Sequence, residues 1–440
     1  MKNLLANLGF ILQFSGILIL LNAFIAIYLN EIKEAIAFFL TSSIFILIGF
    51  PLNALSERKE INFRDSLILF LLTFLFLGLI GSIPYLYLDI FKDYPLEEKI
   101  VNSLFESFSG YTTTGFSFIN SELPKSLILY RSFSQFIGGI GIVYLFLTFL
   151  YSSQKISRVF NRIIGFKVNS EIKKNILEIL IYFSLSALIL SLLMFYFNKD
   201  LLKSFSLVIS GISTGGFSHY NLQLLTFEEK VIIITSMVLG SISIFILSKL
   251  KKEIVLYIIL ILSTTFVLNY FLNLDFFDSF FHAVSLTSTT GYSYIDFSKA
   301  NDFVLLYCSI IMLFGGMAIS TSGGIKLIRV INTFKFLIKK IKAYILAKEE
   351  KLENFSIVYF ILYFIFLFFF SLFFSLNYSS SKSIFEVASS LATAGFSSGI
   401  INIEISVQEK ILFIILMLLG RIEIIPIFAL FIKNYVDNKV

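Results

Sequence analysis

The sequence predicts an all-α polytopic membrane protein. Four span–pore-loop–span repeats stand in a pseudo-fourfold arrangement, preceded by two extra N-terminal transmembrane helices. Three observations predict it. The composition is 57% hydrophobic and only 15% charged, against about 25% charged residues in an ordinary soluble domain. Uncharged runs long enough to cross about 30 Å of hydrocarbon, which takes about 20 residues at 1.5 Å each, recur along the chain. One nine-residue string, Ser-x-x-x-Thr-x-Gly-aromatic-Ser, occurs at Ser109, Ser210, Ser285 and Ser389, and an internal repeat constrains every other assignment.

The spans come first in the chain. Apolar runs occupy 4–30, 35–56, 66–88, 132–154, 179–198, 231–248, 254–274, 303–325 and 355–381. A last run, 411–432, is interrupted by Arg421 and Glu423. An even number of spans puts both termini on one side. The first run is too long for the apolar core of a signal peptide, so it is expected to stay as a span.

The basic residues orient the chain. Lys155, Arg158, Arg162, Lys167, Lys173 and Lys174 fall between the fourth and fifth spans, and Lys249, Lys251 and Lys252 between the sixth and seventh. Lys326, Arg329, Lys335, Lys339, Lys340, Lys342, Lys348 and Lys351 follow the eighth, whereas the 89–99 connection carries Asp89, Asp93, Glu97 and Glu98. The positive-inside bias makes the basic connections and both termini cytoplasmic in a multi-pass protein of the cell membrane. The net charge of +6 is therefore topological, and no nucleic-acid partner is needed to explain it.

All four copies of the string then fall on the outer side, between spans. Short segments at 99–109, 202–211, 276–286 and 383–391 precede them, too short to cross and suited to re-entrant pore helices. The domains follow: 1–60 the two N-terminal helices, 61–155 repeat 1, 172–250 repeat 2, 251–348 repeat 3 with an interrupted second helix, and 349–440 repeat 4.

Non-helical backbone at membrane depth is tolerated where it is buried in protein or lines a cavity. Four such loops around one axis would present a ring of carbonyls able to replace the hydration shell of an alkali cation. Gly115, Gly216, Gly291 and Gly395 permit the positive φ that turns carbonyls toward the axis. In the second copy, Gly215 is the neighbour of the aligned glycine. Thr113, Thr214, Thr289 and Thr393 add a hydroxyl or carbonyl, with Thr114, Thr290 and Ala394 between threonine and glycine. Phe116, Phe217, Tyr292 and Phe396 are expected to pack outward. The pore-helix C-termini would aim about half a negative charge each at the cavity below.

At these residues the chain resembles the Trk/Ktr/HKT superfamily of potassium and sodium transporters, and within it the TrkH-type pore subunit. Phe105-Glu106-Ser107 through Gly115 is similar to that family's first pore helix and filter, and Leu123-Pro124, Arg131 and Gly138–Gly141 to its next helix. The segment from Phe314 to Lys326 resembles the loop that interrupts the second helix of the third repeat, and Met417–Glu423 a segment of the last helix. The resemblance implies potassium uptake, with K⁺ as transported ion at the filter residues and no cofactor bound by this chain. It also implies a homodimer and a TrkA- or KtrA-like cytosolic nucleotide-binding regulatory subunit. Sodium-coupled or sodium-conducting transport is the alternative, because each repeat has one aligned filter glycine and no Thr-Val-Gly-Tyr-Gly.

Gly315, Gly316, Ser320, Thr321, Ser322, Gly323, Gly324 and Lys326 crowd one span. Each glycine costs a continuous helix about 1 kcal/mol relative to alanine, so an interrupted helix lining the path, and a mobile gate, is expected. Close packing against a neighbour is the other reading. Arg421 is an intramembrane charge and so a functional candidate. The resemblance places it below the filter, whereas a simple pair with Glu423 would make it structural. Glu106 either attracts cations at the outer mouth or bonds to backbone amides. His219, His282 and the single Cys308 read as structural or packing residues. A polytopic membrane enzyme is the remote alternative, because the acids are scattered and the two histidines isolated.

Overall fold

The computed structural model describes residues 2–56, 63–151, 176–242, 251–318, 320–345 and 355–422. Ile319, Glu423 and the basic connections 152–175, 243–250 and 346–354 lie outside the described residues. Within them the chain is helical and contains no strand. Six helices are long and apolar enough to cross a membrane, and the protein is a multi-pass membrane protein.

Helices α1 (Lys2–Tyr28) and α2 (Ile32–Ala54) form an antiparallel hairpin outside the repeats. Its turn carries Glu31, whose carboxylate accepts the Lys125 and Ser126 amides at 3.0 and 2.9 Å. Those amides open α6, so Glu31 fills the donor-rich start of that helix and ties the hairpin to repeat 1.

Each repeat runs outer helix, pore helix, filter, second helix. Repeat 1 is α3 (Phe63–Gly81), the short α4 (Ile83–Tyr87), pore helix α5 (Leu96–Tyr111) and α6 (Lys125–Tyr151). Repeat 2 is α7 (Ile176–Asn198), pore helix α8 (Leu201–Ile212) and α9 (Phe227–Ser241). Repeat 3 is α10 (Lys251–Leu272), pore helix α11 (Phe276–Ser288), α12 (Asp302–Phe314) and α13 (Leu327–Ile345). Repeat 4 is α14 (Phe355–Phe374), pore helix α15 (Ser380–Leu391) and α16 (Val407–Arg421). The pore helices bury nearly every side chain in their last two turns.

The packing closes a circle. The second helix of each repeat packs against the pore helix of the next: α6 on α8, α9 on α11, α12 on α15, and α16 back on α5.

Three second helices start earlier than the uncharged runs suggest, and for one reason. Helix α6 begins at Lys125 because Arg131 is neutralised in place by Glu106 at 3.1 Å. Helix α9 begins at Phe227, held by a Thr226–Glu229 capping box, with Lys230 paired to Asp278 at 3.3 Å. Helix α16 begins at Val407 behind a Ser406–Glu409 box, with buried Lys410 3.7 Å from Glu98. A window that rejects charge stops short of these first turns, whereas paired charge is tolerated there.

Candidate ion filter and gate

The spacing Ser-x-x-x-Thr is the spacing of a helix terminator. In repeat 1 the Thr113 amide bonds to Gly110 O at 2.9 Å and the Thr114 amide to Ser109 O at 2.9 Å. That is the 5→2 and 6→1 pair of a Schellman motif. The pair recurs as Thr214–Gly211 with Gly215–Ser210, Thr289–Leu286 with Thr290–Ser285, and Thr393–Ser390 with Ala394–Ser389. The motif serine thus supplies the carbonyl that stops each pore helix.

The left-handed residue of such a terminator is ordinarily glycine, yet here it is threonine four times. Thr113, Thr214, Thr289 and Thr393 have φ of 55, 51, 55 and 46°. A β-branched residue in that region is a backbone outlier that costs on the order of 1–3 kcal/mol. What the threonine supplies in return is a hydroxyl on the underside of the filter.

Two residues later each loop turns through its glycine, at φ of 90, 75, 90 and 74°. These glycines also mark the closest approach between loops. A Cβ on Gly115 would lie 2.2 Å from Gly215 O, and on Gly216 2.0 Å from Thr290 O. On Gly291 it would lie 2.4 Å from Ala394 O, and on Gly395 2.1 Å from Thr114 O. Each contact runs from one filter glycine to the carbonyl just before the next, in the order 1, 2, 3, 4 and back to 1. The four strings form one closed ring, and no side chain fits at the glycine position.

The aromatic after each glycine is buried away from the ring. Phe217 lies under the Arg131 guanidinium at 4.1 Å, the Tyr292 hydroxyl donates to Leu207 O at 2.6 Å, and Phe396 packs edge-on against Phe297. Gln135 on α6 clamps the second loop. Its amide donates to Gly215 O at 2.6 Å while its oxygen accepts from Ser210 Oγ at 2.5 Å and the Phe217 amide at 3.3 Å.

Directly beneath lies the interrupted helix of repeat 3. Gly315, at φ 65°, ends α12, and the described residues after it are non-helical until Leu327 opens α13. The Ile325 amide bonds back to Leu313 O at 2.8 Å and the Leu327 amide to Gly316 O at 3.2 Å, so 315–326 is a loop closed at its neck. Its tip reaches repeats 2, 3 and 4, and Arg421 links it to repeat 1. Thr321 Oγ1 lies within hydrogen-bond reach of Ile212 O, Gly240 O and Thr214 Oγ1, at 3.0, 2.9 and 3.3 Å. The Gly323 amide donates to Thr289 Oγ1 at 2.8 Å, and Gly323 packs against Ala392 O and Thr393 Oγ1 so closely that a Cβ would overlap both. Arg421 donates to Thr321 O and to Gly138 O of repeat 1, each at 2.8 Å. Lys326 holds the loop's own turn, donating to Ser320 O, Ser322 O and both serine hydroxyls.

The structure therefore brings every filter and gate candidate into one column. Two of the four filter hydroxyls, on Thr214 and Thr289, are engaged by the loop. Those of Thr113 and Thr393 are buried with no hydrogen-bond partner among the described residues. A ring of backbone carbonyls over buried hydroxyls suits a dehydrated monovalent cation, and the loop packs against it together with Arg421.

A family model described as "TrkH: Cation transport protein" matches residues 219–439. An uncharacterised cation transporter of Methanocaldococcus jannaschii is 31% identical over 99% of this chain and 96% of its own length. This chain belongs to the TrkH family. Among further relatives, the Trk system potassium uptake protein TrkG of Escherichia coli is 25% identical, covering 96% of each chain. The fold matches the crystal structure of the potassium transporter TrkH from Vibrio parahaemolyticus with a TM-score of 0.81, 20% identity and 98% coverage of both chains.

Reading the TrkH-family string alone missed the struts behind the ring. Three residues before the motif serine stand Glu106, Leu207, His282 and Glu386. Glu106 accepts the Phe118 amide at 2.6 Å, His282 the Tyr294 amide at 3.2 Å and Glu386 the Ser398 amide at 2.9 Å. Each fastens the strand leaving the filter to its own pore helix. Glu106 is thus an amide-binding residue and not an exposed cation attractor; it is fully buried with Arg131. On the connection that follows the second string, burial and the nearby Arg131 charge lower the pKa of His219, which favours the neutral ring that accepts the Leu123 amide at 3.3 Å. Aligning the copies beyond their nine residues would have found this strut position.

Proposed function

We propose that this chain takes up potassium ions across the cell membrane through the four-loop ring. The carriers are Thr113, Thr114 and Gly115, Thr214 to Gly216, Thr289 to Gly291, and Thr393 to Gly395. The single observation that carries the reading is the closed circuit of four glycine–carbonyl contacts, which supports reading all four strings as one site. The potassium named for TrkG and for the Vibrio TrkH supports the choice of ion. The loop 315–326 and Arg421 form the gate. The domain boundaries follow the four repeats, and both termini face the cytoplasm by the positive-inside bias. Regulation comes in trans from a cytosolic nucleotide-binding subunit, and the pore subunit works as a homodimer, as the resemblance implies. The chain transports and does not catalyse.

The test is K⁺-limited growth of an uptake-deficient bacterium, with Rb⁺ and Na⁺ flux in proteoliposomes. Gly291→Ser places a Cβ against Ala394 O at a φ of 90°, so the ring must open and preference for Rb⁺ over Na⁺ must fall. Wild-type preference in both Gly291→Ser and Gly115→Ser would refute the ring, and Na⁺ flux equal to Rb⁺ flux in the unaltered protein would refute potassium. Deleting Ile319–Gly323 should raise flux if the loop is the gate.

A further inference from the structure

We propose that Glu253 is a positioning residue of the gate, the fixed point against which the loop is held closed. The proposal rests on the gate reading above. Glu253 lies in the first turn of α10, on a different helix from the loop, and is 1% exposed. Its Oε1 accepts the Ala318 amide at 2.8 Å, on the entering limb of the loop. The Lys326 ammonium, on the leaving limb, and the Ile328 amide, in the first turn of α13, add their positive fields at the same carboxylate.

A buried carboxylate is costly unless donors and positive charge surround it. Among the described residues, what compensates Glu253 belongs to the loop or to the helix start that follows it: one loop amide, one loop ammonium and the donor-rich N-terminus of α13. Moving the loop out of the path takes these partners away and leaves the carboxylate buried and alone. The same helix makes a second attachment one turn on. The Tyr257 hydroxyl lies 2.7 Å from Ser241 Oγ, and Ser241 O accepts the Met317 amide at 3.0 Å. Helix α10 therefore holds Ala318 directly and Met317 through Ser241 of α9, and the closed state is favoured by a buried carboxylate that the open state strands.

Neutralising Glu253 removes the penalty for opening. Glu253→Gln keeps an oxygen acceptor but exchanges a charge-assisted hydrogen bond for a neutral one of roughly half the strength. The order of resting flux should be Glu253→Ala above Glu253→Gln above the unaltered protein, with the glutamine variant raised about fivefold. Loop exposure gives a second readout. The chain has one cysteine, Cys308, so Cys308→Ser with Ala318→Cys leaves a single thiol on the loop.

The experiment measures Rb⁺ and Na⁺ flux and methanethiosulfonate labelling of that thiol in proteoliposomes of the full-length protein, for Glu253→Ala, Glu253→Gln and the unaltered residue. Flux and labelling rising together in the stated order, with the Rb⁺ over Na⁺ preference unchanged, supports the role. Raised flux with lost preference means general loosening of the pore and overturns it. Flux and labelling at unaltered levels also overturn it while leaving the gate intact, provided that deletion of Ile319–Gly323 raises flux. If that deletion changes nothing, the gate reading itself has failed. Should Glu253→Ala aggregate on size exclusion, the glutamine variant decides.

Discussion

Arg421 donates to the carbonyl of Thr321 at 2.8 Å and, through its other terminal nitrogen, to Gly138 O at the same distance. One guanidinium thus joins α16, the loop of repeat 3 and the second helix of repeat 1. Hydrogen bonds from a charged donor contribute about 1.5–3 kcal/mol each. Replacing Arg421 by alanine removes both, together with the positive charge that the proposed gate sets against cations. Resting Rb⁺ flux should rise by roughly tenfold or more, since about 1.4 kcal/mol is a factor of ten. Arg421→Lys keeps the charge but cannot span both carbonyls with a planar fork, so it should fall between. Proteoliposome flux checks the order; equal flux in all three proteins would make Arg421 a packing residue.

Gln135 bears on ion preference. Its amide takes the Gly215 carbonyl, and its oxygen takes Ser210 and Phe217 donors. That carbonyl is also the one that Gly115 approaches, so Gln135 sets the position of the joint between loops 1 and 2. Leucine at 135 leaves a buried carbonyl without a donor, at a cost of about 1–3 kcal/mol. The second loop should relax, and the Rb⁺ over Na⁺ preference should drop while uptake persists. Unchanged preference with Gln135→Leu would separate this clamp from selectivity.

What the sequence made legible was whatever repeats. The fourfold string marked the loops and their glycines because those positions recur, and crowded glycines marked the interrupted span because they break a strong local rule. The physical meaning of the serine at its head was hidden. Ser109 and its counterparts act chiefly through their backbone carbonyls, which leave no trace in residue chemistry. Glu253 was equally hidden, since its partner Ala318 stands far along the chain and offers only an amide. The early starts of α6, α9 and α16 were missed because hydropathy counts a charge without seeing its partner. Arg421 stood out in the sequence as an intramembrane charge. Its contacts, two carbonyls on other repeats, required the fold.

The Arg131–Glu106 pair gives the last prediction, on stability. Both side chains are buried at 3.1 Å, and Glu106 also accepts the Phe118 amide and the Ser117 hydroxyl. Arg131 in turn lies over the Phe217 ring of the next repeat. Removing one member of a buried pair strands the other and costs roughly 3–5 kcal/mol, whereas replacing both by neutral groups costs far less. Arg131→Met alone should therefore lower the melting temperature in detergent more than the Arg131→Met, Glu106→Gln double variant, which retains the amide acceptor at 106. The sign of that coupling is diagnostic. If the double variant were the less stable by the sum of the two single losses, the residues would act independently. The strand leaving the first filter would then be held by Glu106 alone, and the guanidinium would matter only through Phe217. If the double variant recovers stability but loses Rb⁺ over Na⁺ preference, the pair's role passes from holding the fold to holding the ring.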